Sequence, residues 1–135
     1  MATDNTFEEV FTELRKILLP YAKRMEVSQD SETVYMLNTH HVMPNKQQLY
    51  FGGVRRGRAY VSFHLMPVYA APELLKGMSG ELRKRMQGKS CFNFKTVDKG
   101  LFRELKGLTK AGAARFSDEK FIERLREWQS AARSK

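Results

Sequence analysis

Apolar and polar positions change period several times along the chain. Apolar residues recur every three or four positions over residues 7–21, which predicts an amphipathic helix that Pro20 ends. Residues 33–37, 48–54 and 58–65 instead favour strands, because they alternate or are rich in β-branched and aromatic side chains. The polar run between the first helix and these strands, residues 28–32, is typical of a loop.

The helical period returns after Pro72. It predicts short helices at 72–78 and 80–87, the second capped by Ser79, then a strand from Ser90 to Lys95. Two longer helices follow. One is opened by Asp98, and the other runs over 117–133 with Ser117 as its cap.

The order of elements is helix, three or more strands, helices, strand, helices. Strands joined by hairpins form antiparallel sheets, and amphipathic helices must cover one face of such a sheet. The 135 residues therefore predict a single α+β domain, residues 1–135, with the C-terminal helix packed on it. A doubly wound α/β fold would need repeated strand–helix alternation, which this order lacks.

The positive charge is concentrated in the middle of the chain. Residues 1–45 carry four Lys/Arg against seven Asp/Glu (−3), residues 46–110 fourteen against four (+10), and residues 111–135 six against four (+2), which sum to +9. Such asymmetry favours anionic partners, namely phosphate-bearing small molecules or nucleic acid. The alternative is a solvated surface that only promotes solubility.

Arginines crowd the predicted hairpin between the second and third strands. Arg55, Arg56 and Arg58 surround Gly57, which we expect to take a positive φ in a tight turn. Guanidinium groups suit bidentate phosphate recognition, which would explain arginine at a position where like charges repel. Arg85 and Lys89 extend the basic set, although cations near a helix end also have a purely structural explanation.

Alternation places Tyr60, Ser62 and His64 on one face of their strand. If the strand at 90–95 joins the same sheet with its phenylalanines inward, Cys91 and Asn93 share that face. The result is a polar surface for a ligand, or an ordinary solvated sheet face.

A lone Cys91 excludes an internal disulfide and favours a reducing compartment. The polar, acidic N-terminus lacks the pattern of a signal peptide, and no apolar run approaches the roughly 20 residues that span a bilayer. We expect a cytoplasmic protein that does not insert into a membrane.

Two segments resemble the YdhG-like family of domains of unknown function: Phe51-Gly52-Gly53 with Tyr60–Pro67, and Gly88–Phe94 after it. The resemblance covers roughly residues 7–110. It implies a curved antiparallel sheet covered by helices, and no established catalytic residues. Some members have been proposed to handle iron in a frataxin-like manner, which implies a metal-handling alternative for this chain.

The residues themselves offer little for a metal. His40 and His41 are adjacent, so in an extended segment they point to opposite faces, and a single cysteine cannot form a thiolate cluster. The best carboxylate candidates for iron are Glu8, Glu9 and Glu13, which also suit a solvated helix face. We expect no metal and no cofactor.

The favoured hypothesis is a non-enzymatic module that binds an anionic ligand. The first alternative is the iron-handling domain, and the second is a small enzyme that uses Tyr60, His64 and Cys91. Trp128 on the last helix docks on the domain or on a second copy in a homodimer.

Overall fold

The computed structural model describes the backbone of residues 2–133 and the side chains of residues 7–132. It shows one α+β domain, as predicted. The helices are α1 Ala2–Leu18, α2 Met66–Ala70, α3 Gly80–Arg83, α4 Lys99–Phe116 and α5 Glu119–Arg133, with 3₁₀ turns at Leu19–Arg24 and Pro72–Leu75. The strands are β1 Glu26–Asp30, β2 Val34–Val42, β3 Gln48–Arg56, β4 Val61–Leu65, β5 Met86–Gln87 and β6 Cys91–Phe94.

The six strands form one antiparallel sheet in the order β1-β2-β3-β4-β6-β5. Alternate residues of its central strands are fully or almost fully buried against the helices: Phe51, Val54, Val61, Phe63, Leu65, Phe92 and Phe94. The helices contribute Leu14, Leu18, Leu105 and Ile122 to the same core. Within residues 2–133, no helix is both long and apolar enough to cross a membrane.

An irregularity in β3 decides which side chains reach the face of the sheet away from the helices. Leu37 of β2 pairs with Gly52, but the next residue, Asn38, pairs with Tyr50, so Phe51 has no partner on β2. This extra residue is a β-bulge. Because of it, Phe51 fills the core while Tyr50 lies on the opposite face.

The two glycines of β3 allow close approach of neighbouring groups. A Cβ on Gly53 would lie 2.7 Å from the Tyr50 hydroxyl oxygen and 2.8 Å from Cγ of Met36. A Cβ on Gly52 would lie 2.7 Å from the backbone oxygen of His64. The tyrosine ring therefore crosses the space that a side chain at position 53 would occupy.

The prediction of a loop over 28–32 was wrong for residues 28–30, since β1 runs from Glu26 to Asp30 and pairs with β2, and only residues 31 and 32 lie in the bend that follows. Every residue of β1 is exposed, so the strand has no buried apolar face that its sequence could reveal. β2 also extends beyond the predicted strand 33–37 and continues through His40 and His41 to Val42.

The helices predicted over 80–87 and 117–133 have different bounds. Ser79 does cap α3 by accepting a hydrogen bond from the Leu82 amide at 3.1 Å, but α3 ends at Arg83. Gly88 then takes a φ of +75° between β5 and β6, so the chain turns back as a hairpin.

Ser117 was predicted to cap the last helix and instead follows the end of α4. Its hydroxyl donates to the Ala113 carbonyl at 2.9 Å. The carboxylate of Asp118 accepts from the Lys120 amide at 3.0 Å, so Asp118 opens α5 and the helix begins at Glu119.

Candidate anion-binding site on the outer sheet face

The face of the sheet away from the helices, called the outer face below, carries the polar residues that the alternation of β4 predicted. β4 pairs directly with β6, so Ser62 lies opposite Asn93 and His64 opposite Cys91. The placement of Cys91 and Asn93 beside Ser62 and His64 is therefore confirmed. All four side chains are partly buried.

Side-chain hydrogen bonds join this row across three strands. The Ser62 hydroxyl donates to Asn93 Oδ1 at 2.8 Å, and Asn93 Nδ2 donates to Gln87 Oε1 at 2.6 Å. Tyr60 also donates its hydroxyl to Gln87 Oε1, at 3.4 Å. The thiol of Cys91 donates to Asn93 Oδ1 at 3.4 Å. The row is consequently an ordered, neutral hydrogen-bonding surface.

Arg55 supplies positive charge beside this row. It pairs with Ser62 in the β3–β4 register and is exposed. Burial is the larger cause that lowers the pKa of His64, and the Arg55 guanidinium lowers it further. Burial also raises the pKa of Tyr50 to about 12, against a smaller lowering by Arg55. Near neutral pH, His64 is neutral and Tyr50 keeps its proton.

Arg55 and Arg58 lack acidic partners. Among the described side chains, no carboxylate lies within the 4.0 Å ion-pair distance of either guanidinium. An exposed guanidinium without a carboxylate partner keeps its charge-assisted hydrogen bonds available for an added anion.

The three arginines do not form one cluster at a hairpin tip. Arg55 and Arg56 belong to β3, where adjacent residues point to opposite faces, and only Arg58 lies in the turn. Arg56 also makes an interaction within the protein. Gly57 does not have the expected positive φ, and its amide donates to the Tyr60 carbonyl at 2.9 Å. Because β3 extends two residues further than predicted, the arginines are distributed along a strand and a turn.

Arg85 and Lys89 flank the β5–β6 hairpin. Arg85 directly precedes β5, and its carbonyl accepts a hydrogen bond from the Asn93 amide at 2.8 Å. Lys89 follows Gly88 in the turn, with its ammonium 5.8 Å from the centroid of the Tyr69 ring. Both side chains are exposed, and the Lys89 ammonium lies towards Tyr69 of α2.

Cys91 and His64 are close enough to interact, with Sγ 3.7 Å from Nε2. A nucleophilic pair would need a thiolate beside an imidazolium. Burial instead raises the pKa of the Cys91 thiol and lowers that of His64, which favours both neutral forms. The pair is thus arranged for hydrogen bonding.

Two outer-face residues were missing from the sequence-based site. Tyr50 was not among the predicted site residues, and Gln87 was placed in the helix predicted over 80–87. The paired glycines 52 and 53 were the available signal for Tyr50, since a bulge changes the face of every residue before it. No local signal identified Gln87, because its strand has only two residues.

The candidate iron ligands lie elsewhere. Glu8, Glu9 and Glu13 line a cleft of about 940 Å³ together with Lys99, and Glu13 is paired with Lys16 at 2.8 Å. Among the residues that the structure describes, no group of three or more His, Cys, Asp or Glu side chains could hold a metal ion.

No protein-family model, no curated protein and no solved structure matches this chain. The fold and the outer face define an α+β domain with a polar, arginine-flanked sheet surface, and the resemblance to YdhG-like domains stays a prediction.

Proposed function

We propose that this protein is a non-enzymatic binding module whose outer face holds an anionic, phosphate-bearing ligand. The carrying observation is the Arg55 guanidinium, which is exposed, lacks a carboxylate partner among the described residues, and adjoins partly buried His64. A phosphate group would receive the charge-assisted hydrogen bonds that Arg55 does not make within the protein.

Residues near Arg55 offer further hydrogen-bond donors to the same ligand. The Tyr50 hydroxyl makes no hydrogen bond with a described group. Every fully buried polar side-chain atom among the described residues has a partner, so this hydroxyl is not fully buried. That hydroxyl is therefore accessible to solvent and can donate to a bound anion. Neutral His64 can do the same through whichever ring nitrogen carries the proton.

A direct test is titration with inorganic phosphate and with a nucleoside monophosphate, followed by amide and imidazole NMR shifts. We expect shifts concentrated at Arg55, Ser62, His64 and Asn93. Arg55→Gln should weaken binding by about 10-fold or more, because hydrogen bonds to charged groups contribute roughly 1.5–3 kcal/mol. Arg124→Gln on α5, which removes the same charge at an exposed helix position, should leave the affinity unchanged.

Equal weakening by the two variants would show a response to net charge alone, and would contradict the proposal. A small enzyme built on Cys91 and His64 is the alternative that a specific distance favours, the 3.7 Å between their side chains. It requires a reactive thiolate, which the pKa directions of both groups oppose.

A further inference from the structure

Four cations form a continuous row along α4, called the basic stripe below. They are spaced by four, three and four residues: Lys99, Arg103, Lys106 and Lys110. At about 100° per residue they lie within an arc of about 60°, and at 1.5 Å per residue they extend over about 16 Å. All four side chains are exposed.

Glu8, Glu9 and Glu13 of α1 line a cavity together with Lys99 of the basic stripe, but in the described part of the chain they form no ion pair with the stripe. None of its four members lies within ion-pair distance of a carboxylate there. The carboxylate of Glu104 on the same helix is engaged elsewhere, since it accepts hydrogen bonds from the amide and the hydroxyl of Ser79 at 3.1 and 2.6 Å. Like charges one turn apart destabilise a helix, so folding alone does not favour this arrangement.

Two separate cavities, together called the groove below, lie beside the basic stripe. One, of about 370 Å³, lies between Glu13 and Lys16 of α1 and three stripe residues, and the other, of about 610 Å³, lies between Arg24 and Lys110. From the smaller cavity to the larger one, residue numbers increase on both walls. The α1 helix and the 3₁₀ turn that follows it therefore lie alongside α4 in the same direction. Arg24 adds a cation to the wall that faces the stripe, whereas Lys16 is paired with Glu13 at 2.8 Å.

We propose that this groove binds the phosphate backbone of a single-stranded nucleic acid through the basic stripe. Evenly spaced point charges in a groove suit a linear polyanion whose charges repeat along its length. Tyr21 lines the wider cavity and offers a ring on which a base can stack.

The groove lies among the helices and the outer face lies across the sheet, so this proposal does not rest on the proposed function. The probe is a fluorescein-labelled 20-nucleotide oligouridylate, whose anisotropy is followed at several salt concentrations. The test variant carries glutamine at all four stripe positions, Lys99, Arg103, Lys106 and Lys110. The control variant loses the same charge at exposed positions elsewhere: Lys76, Lys84, Lys120 and Arg124.

Four phosphate contacts on a single strand contribute about −2.8 to the slope of log affinity against log salt concentration. When the salt is raised from 50 to 200 mM, the affinity of the wild type should therefore fall by about 50-fold more than that of the stripe variant. The control variant should keep the wild-type slope. Circular dichroism and the melting temperature show that each variant is folded.

Three results would overturn the proposal. They are no binding by the wild type at 50 mM salt, equal losses in the two glutamine variants, and competition by polyglutamate as effective as that by unlabelled oligouridylate. Arg55→Gln separates the two surfaces. If it alone removes oligonucleotide binding, the basic stripe is not the site and the outer face is. If it removes only phosphate binding, the two sites are independent.

Discussion

The Sγ atom of Cys91 lies 3.7 Å from Nε2 of His64, on adjacent antiparallel strands. Both groups are partly buried, and burial favours the neutral form of each. We therefore expect iodoacetamide to alkylate Cys91 more slowly than free cysteine at pH 7.4. Mass spectrometry over a time course measures the rate, with Cys91→Ser as the blank. Alkylation faster than that of free cysteine would support the enzyme alternative.

The lowered pKa of His64 predicts a pH dependence of stability. The unfolded imidazole titrates near its ordinary value of about 6.5, whereas the folded one titrates lower. Between these two values the unfolded chain binds more protons, so this contribution to stability is fully present above about pH 6.5 and is lost as pH falls towards the folded pKa. Urea unfolding at several pH values should show a smaller loss on acidification in His64→Gln than in the wild type.

Arg55 is the second cause of that lowered pKa. Arg55→Gln should accordingly raise the pKa of His64 towards its ordinary value, without restoring it, because burial remains. An NMR titration of the imidazole protons measures the change. An unchanged His64 pKa would show that the guanidinium points away from the outer face.

Two glycine-to-alanine substitutions should act in opposite directions. Gly53→Ala places a Cβ 2.7 Å from the Tyr50 hydroxyl oxygen and 2.9 Å from the Tyr35 carbonyl, so we expect destabilisation by about 1–3 kcal/mol. Gly107→Ala in α4 meets nothing within 4 Å and should stabilise the protein by about 0.5–1 kcal/mol. Denaturant unfolding gives both values. An unchanged free energy of unfolding in Gly53→Ala would mean that the Tyr50 hydroxyl does not lie against Gly53.

The two ends of α5 should differ in what they contribute to stability. Ile122 is fully buried, and Ile122→Ala should cost about 2–5 kcal/mol. Trp128 is 65% exposed, so Trp128→Ala should change the free energy of unfolding by less than about 0.5 kcal/mol at low protein concentration. Docking of Trp128 on a second copy stays a prediction. A large loss in Trp128→Ala at low protein concentration would show that the indole packs on its own domain.

The sequence was sufficient for elements whose apolar side chains are buried on one face. The period of α1, the inward residues of β4 and β6, and the caps Ser79 and Asp98 all follow from local pattern, and each is present in the structure. The α+β class followed from the order of these elements.

The sequence was insufficient where pairing alone makes a strand. β1 is exposed at every position, and β5 has two residues, so neither carries a periodic signal. The predicted cluster of arginines at the hairpin tip was wrong for a similar reason. The end of β3 at Arg56 depends on pairing with neighbouring strands, and the Arg56 amide donates to the Thr33 carbonyl at 2.8 Å. The basic stripe was visible in the spacing of α4 and was overlooked in favour of the crowded arginines.

The margins of the sheet give the molecule protection against self-association. β5 leaves only two residues on its free side, too few to template a further strand, and β1 is shifted in register between Val27 and Gln29 and begins and ends with an acidic residue. Irregular, charged or very short edges discourage intermolecular β-pairing and amyloid-like growth. A chain with this arrangement should tolerate high concentration without forming fibrils.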